Sequence, residues 1–205
     1  MLITLDLLGF RSCLKKIRSF LTLIGLLLSK NIKTGVRFGR AVVIYNKGLV
    51  TINENCLLGD NVSLKVMANS NLILEEGVVL SDNVSITVRE KSTIRVGKNT
   101  RINCFSILSG EIDIAGGVVI APYVTLISDS HRLGVEGLTI DEADEKYGMV
   151  HGKIIIGCGS FLGVRSIVLH NVVVGERAII GANSLVLDDV PNNAIVYGKK
   201  ASVKK

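Results

Sequence analysis

The sequence predicts an all-β parallel solenoid, a β-helix, from three observations: a hydrophobic beat of period six, turn residues at a fixed offset within it, and an almost purely aliphatic core composition. Ile114, Ile120 and Leu126 carry the beat, followed by Ile156, Leu162, Val168, Val174, Ile180 and Val186, each six residues after the last except across one interruption. Two positions before each stands a small or β-branched residue: Ile112, Val118, Val124, Ile154, Ser160, Ser166, Val172, Ala178 and Ser184. Such a period fits neither an amphipathic helix, at about 3.6, nor a long strand with alternating faces. It fits hexads that are each a short strand plus a corner, with three closing one triangular coil whose inward side chains stack on the next. Gly157-Cys158-Gly159, Gly175-Glu176-Arg177 and Gly181-Ala182-Asn183 supply glycine or asparagine where a corner needs a tight turn or positive φ.

The chain has 205 residues, 48% of them hydrophobic, and no tryptophan, which suits one domain with a slim core of aliphatic ladders. A core that slim has no room for a large ligand, so any site is expected on the surface or between subunits. The net charge of +6 comes largely from two basic stretches, residues 11–18 and 199–205, and forms no continuous stripe. This speaks against nucleic acid and for an anionic ligand or membrane surface. Cys13, Cys56, Cys104 and Cys158 lie far apart without paired spacing. Free thiols in a reducing compartment are expected, hence a cytoplasmic protein with neither disulfide nor zinc.

In chain order, residues 1–30 are a helical segment in which two apolar runs flank Arg11, Lys15, Lys16 and Arg18. The second run is too short for a membrane span, and charge does not precede the apolar stretch as a secretory signal requires. Two readings stand: a cap on the open end of the solenoid, or an amphipathic helix (residues 1–28) in peripheral contact with the inner face of a membrane. The solenoid occupies 31–190, with Phe38 and Ile44 the first inward residues. Ile52, Leu58, Leu64; Leu74, Leu80, Ile86; and Val96, Ile102, Leu108 then recur as groups every 22 residues. Four residues beyond three hexads are thus added per coil, near Ala68 and near Glu90, and are expected to protrude into solvent. The beat stops at Asp129-Ser130-His131, gives way to a loop over 132–152 rich in acidic residues, and resumes at Ile154. A loop that long is read as a lid or binding wall, or else as a solvated excursion. Residues 191–205 form a turn and a basic tail.

Residues 94–200 resemble the left-handed parallel β-helix, hexapeptide-repeat acyltransferases, in particular maltose, galactoside and bacterial polysaccharide O-acetyltransferases. Three stretches carry the resemblance: residues 112–131, two hexads and a histidine that opens a loop; 153–163, the return to the helix, with Phe161 where a tryptophan is common; and 181–199, including Asp189-Val190-Pro191 and Gly198-Lys199. The resemblance implies left-handed coiling, which periodicity cannot supply, since general topology favours right-handed crossovers. It also implies a homotrimer with acetyl-CoA in a groove between neighbouring coils, a sugar or glycan acceptor, no nucleic-acid partner and no metal.

Residue by residue, the resemblance makes His131 the general base, Asn103 an acceptor contact, Val164 the backbone amide near the thioester and Ala182 a pantetheine contact. Leu187 and Asp188 depart from relatives that place threonine and lysine there, so Lys199 and Lys200 are assigned to the coenzyme phosphates. For Asn103 a corner or ladder role stands beside the ligand role, and for the tail a merely solubilising one. An alcohol needs its proton removed to attack a thioester, work suited to a histidine. Asp129, two residues earlier, is a candidate to orient the imidazole if the strand geometry persists. Cys104, placed in the apolar beat, is the covalent alternative. The competing functions are a non-catalytic scaffold and a γ-class carbonic-anhydrase-like metal enzyme, for which His131, His151 and His170 lack closely spaced partners.

Overall fold

The computed structural model describes residues 31–198. The N-terminal helical segment, its membrane contact, Lys199 and Lys200 lie outside the described residues.

Twenty-one short strands stack into three parallel sheets that are the faces of a triangular prism. An eight-stranded face runs from Arg37–Phe38 through Arg101–Ile102, Val119–Ile120 and Phe161–Leu162 to Ile195–Val196; the other faces have seven and six strands. Every neighbour within these three sheets is parallel, each residue pairing with its counterpart one coil away, as Ile102 does with Leu80 and Ile120. Among the described residues only Asp129–Ser130 and Val150–His151 pair antiparallel, closing the neck of the loop. The stack extends beyond 190, because Ile195–Val196 pairs with Ile179–Ile180.

The expected ladder is the core. The nine beat residues from Ile114 to Val186 and the nine before them are all buried, as are the three groups from Ile52 to Leu108. Two of the ladder serines bond to the next coil: Ser106 Oγ donates to Ala121 O at 3.1 Å and Ser160 Oγ to Gly175 O at 2.8 Å. Corners place Asn61, Asn83, Asn171 and Asn183 at φ between 56° and 59°, where asparagine costs less than most residues. Cys56, Cys104 and Cys158 are free thiols. Cys104 is half-buried at a corner, not in the inward beat, because the inward positions on either side of it are Ile102 and Ser106.

The four additional residues per coil do not simply protrude. They lengthen two faces, giving four-residue strands such as Ser63–Val66, Asn71–Leu74, Ser85–Val88 and Thr93–Val96. Val66 and Val88 are thereby added to the core and Ser70 and Ser92 are buried at the corner, while Leu72 and Ile94 stay in register with Ile112 and Ile154 of the narrower coils. Polarity at these corners marks hydrogen bonding rather than solvation: Ser70 Oγ donates to Met67 O at 2.6 Å.

The wide coil narrows at Gly110. Its φ is 104°, and a Cβ there would stand 2.0 Å from Ser128 Oγ, so the next coil approaches as only glycine permits. Ser128 is buried, and its Oγ accepts from the Glu111 N–H at 2.7 Å.

Candidate active site

The loop leaves the seven-stranded face after Thr125–Ile127, one coil beyond the narrowing at Gly110. It contains a helix, α1 (Ile140–Tyr147), that the periodicity did not announce. Thr139 caps it: its Oγ1 accepts from the Glu142 N–H, and the Glu142 carboxylate accepts from the Thr139 N–H at 2.8 Å. That reciprocal box holds Glu142 below the ordinary carboxylate range, the Thr139 backbone bond being the main cause.

α1 delivers Asp144 to His131. The Asp144 carboxylate lies 2.5 Å from His131 Nδ1 and accepts from the Arg132 N–H at 2.8 Å. The bond from His131, seconded by that amide, pulls the Asp144 carboxyl below its usual range. Asp144 is 16% exposed and His131 60%, so the ring is held at one nitrogen and open at the other. With Nδ1–H donating to Asp144, Nε2 is the acceptor tautomer that a general base needs.

Asp129 serves a different histidine. Its Oδ1 is 3.3 Å from His151 Nδ1 and 3.0 Å from Arg89 Nε. Arg89 also approaches Glu111 at 3.6 Å and is only 23% exposed. Arg89 projects from a wide coil, so the two ends of the loop neck, Asp129 and His151, are tied to the ledge below them. The bend that follows Asp129 is what separates it from His131. Positions i and i+2 share a face only while the strand continues, and the antiparallel pair at 129–130 ends it.

Two grooves meet at this neck. One, of about 480 Å³, is lined by Ser109, Asp129, His131, Met149 and His170 among others. The second, of about 630 Å³, shares Ser109, Asp129 and Met149 and runs over the wide coils. The three histidines do not converge: His131 and His170 line the first groove, while His151 lines the second. Among the described residues no group of three potential metal donors is found.

The remaining expected positions gather at another corner, between the eight- and seven-stranded faces. Asn103 donates its Nδ2 to Ile120 O at 2.7 Å, tying its side chain to the next coil as Asn53 does to Leu74 O at 3.0 Å at the corner between the six- and eight-stranded faces. Val164 and Ala182 are exposed there, and the Val164 carbonyl accepts from the Asn183 N–H at 2.9 Å. Phe105 and Tyr123 stack across the same corner with centroids 5.0 Å apart, and the Arg165 guanidinium stands 5.6 Å from the Tyr123 ring. All three have positive φ (61°, 62° and 58°), where neighbouring coils use asparagine.

Residues 153–188 match the family described as bacterial transferase hexapeptide (six repeats). A galactoside O-acetyltransferase from Lactococcus lactis is 28% identical over 95 residues, covering 46% of this chain and 43% of that protein. A dTDP-3-amino-3,6-dideoxy-alpha-D-galactopyranose 3-N-acetyltransferase from Aneurinibacillus thermoaerophilus is 36% identical over 53 residues, covering 26% of this chain and 28% of that protein. The chain thus spans less than half the length of these curated relatives. Among solved structures, an N-acyltransferase from Bacillus cereus with dTDP and coenzyme A superposes with a TM-score of 0.52 at 22% identity, covering 82% of this chain and 84% of that one.

Proposed function

We propose that this chain, a hexapeptide-repeat acyltransferase, moves an acetyl group from acetyl-CoA to a hydroxyl of a sugar or surface glycan, with His131 as general base. One observation carries the proposal: His131 stands at the mouth of a groove with Nδ1 held by Asp144 and the rest of its ring open. An amine is a nucleophile in its neutral form. A neutral hydroxyl is a much poorer one and has more to gain from a fixed base, which supports oxygen over nitrogen as the acceptor atom. Asp144 takes the orienting part that the sequence offered to Asp129, because its carboxylate is the one on the ring.

Acetyl-CoA supplies the activated acyl group. His131 Nε2 accepts the hydroxyl proton as the acceptor oxygen bonds to the acyl carbon, and returns it to the departing sulfur as the carbon–sulfur bond breaks. The Val164 N–H is proposed to face the charge that gathers on the acyl oxygen, with Ala182 along the pantetheine arm, Asn103 toward the acceptor, and Lys199 and Lys200 on the coenzyme phosphates. Left-handed coiling, assembly as a homotrimer and a cytoplasmic location, with residues 1–28 in peripheral contact with the inner membrane face, belong to the same proposal. No described helix is long and apolar enough to cross a membrane. The exposed apolar residues Phe161, Ile179 and Ile195 along one face support association.

The test is thiol release from acetyl-CoA against a panel of sugars and amino sugars. Acceptor-dependent release with hydroxyl acceptors is expected. Release with amino sugars alone would replace oxygen by nitrogen in this reading, and none with any acceptor would remove it.

A further inference from the structure

The second groove, beside the one that holds His131, runs over the wide coils. Arg89 is engaged by Asp129 and Glu111. Lys65 and Lys91 also line it; both are exposed, and neither has an ion-pair partner among the described residues. Glu90 is the one lining carboxylate besides Asp129, so with Asp129 neutralised by Arg89 the groove is cationic. Between these charges stand Met67, Met149 and Thr87, the last in register with Lys65. Lys91 projects from a four-residue corner that only the wide coils possess, at φ 58°.

We infer that this groove is an acceptor subsite for an anionic glycan, in which Lys65 and Lys91 hold a carboxylate or phosphate while the reacting hydroxyl lies at His131. The inference rests on the acetyl-transfer reading for its chemistry, and on the shared residues Ser109, Asp129 and Met149 for its continuity with that site. Volumes of about 480 and 630 Å³ give the acceptor more than one sugar's length of surface, within the roughly 300–1,000 Å³ range of small-molecule sites. Lysine is a mobile point charge that accepts either anion, whereas the fixed fork of Arg89 is already committed to Asp129.

The experiment follows thiol release from acetyl-CoA with methyl galactoside, galacturonate and galactose 6-phosphate, for the full chain and its Lys65→Ala/Lys91→Ala variant. At least one charged acceptor is expected to exceed the neutral one by about tenfold in kcat/KM. Which of the two does so decides between carboxylate and phosphate. Exposed ion pairs are individually weak, so either single substitution is expected to shift KM by only about threefold and the pair together by about tenfold. The change should fall in KM at unchanged kcat, spare the neutral sugar, and vanish in high salt. Equal use of charged and neutral acceptors, or a variant that loses both alike, overturns the inference. If no acceptor is used, acetyl transfer fails by itself and calorimetric titration with trigalacturonate and with galactose 6-phosphate still tests the groove. Weaker binding of either probe by the variant supports it, whereas no binding to the full chain, or equal binding by both, overturns it.

Discussion

The coils from Leu58 to Ile102 repeat every 22 residues, while those from Leu162 to Ile180 repeat every 18. Both regions bury the same kind of ladder, yet they meet solvent differently. The wide coils pair charges from coil to coil: Arg95 bridges Glu75 at 2.7 Å and Asp113 at 2.9 Å, and Lys98 meets Glu76 at 2.7 Å. The narrow coils expose Phe161, Ile179 and Ile195 on one face and Ile167 and Leu185 on another. A repeat can fold anywhere along itself, but a site requires a place where the repeat is broken. Here that place is the ledge at Gly110, against which Ser128, Asp129 and the neck of the loop are set.

The comparison is broken most severely at His131. If chemistry belongs to the ledge and the ladders only support it, His131→Ala should lose about 10²–10⁴-fold in kcat. Coenzyme affinity and Tm should stay at wild-type values, because the ring is solvent-facing and outside the core. Near-normal transfer by a folded His131→Ala protein would move the chemistry elsewhere.

Gly110→Ala tests the ledge itself. The new methyl carbon meets Ser128 Oγ at 2.0 Å and Asp129 Oδ2 at 2.9 Å while φ is 104°. A cost of about 2–4 kcal/mol is expected from backbone strain and overpacking together. Gly117→Ala, with φ 69° but nothing within 4 Å, should cost only about 1 kcal/mol. Equal costs in denaturant unfolding would show that close approach at the ledge is unimportant.

The sequence discloses the ladder because burial leaves no freedom: every inward position from Ile52 to Val186 must be small or aliphatic. It discloses His131 as a break in that pattern. Asp144 and Arg89 stay hidden for a different reason. Each acts across a distance set by folding, 13 residues for Asp144 to His131 and 40 for Arg89 to Asp129, and no periodicity connects them. One clue to Asp144 is present, the pattern Thr139-x-x-Glu142 that starts α1 and fixes which helical face Asp144 occupies. The wide corners are misread from polarity, since Ser70 and Ser92 are polar and buried.

Asp144→Asn should lower kcat by about tenfold and leave KM for the coenzyme unchanged, with Asp129→Asn affecting the loop neck instead. A pH titration separates the two. The Asp144 carboxyl is lowered by its bond from His131, so the stabilisation of α1 is present above the ordinary carboxylate pKa and lost as pH falls through the depressed one. Amide exchange in α1 should therefore stay slow at pH about 4 and accelerate only below it. In Asp144→Asn the share of that acid transition due to Asp144 should disappear and only the share of the Glu142 capping box remain, and an unchanged transition would assign it to Glu142.

The smallest effect is expected at the corner that separates the two regions in another way. Coils on either side place Asn61, Asn83 and Asn183 at positive φ, but at the level of the site the same corner holds Phe105, Tyr123 and Arg165. Left-handed backbone costs an ordinary L-residue roughly 1–2 kcal/mol, and the stacked pair returns about 0.5–1.5 kcal/mol. Phe105→Asn should thus change stability by less than about 1 kcal/mol, the relief of strain offsetting the lost stack. If the aromatic corner serves only the fold, acetyl transfer should also be unchanged. A fall in activity at constant Tm would show that the strain is retained for what the stack contacts, and would extend the site from the ledge to the corner that carries Asn103, Val164 and Ala182.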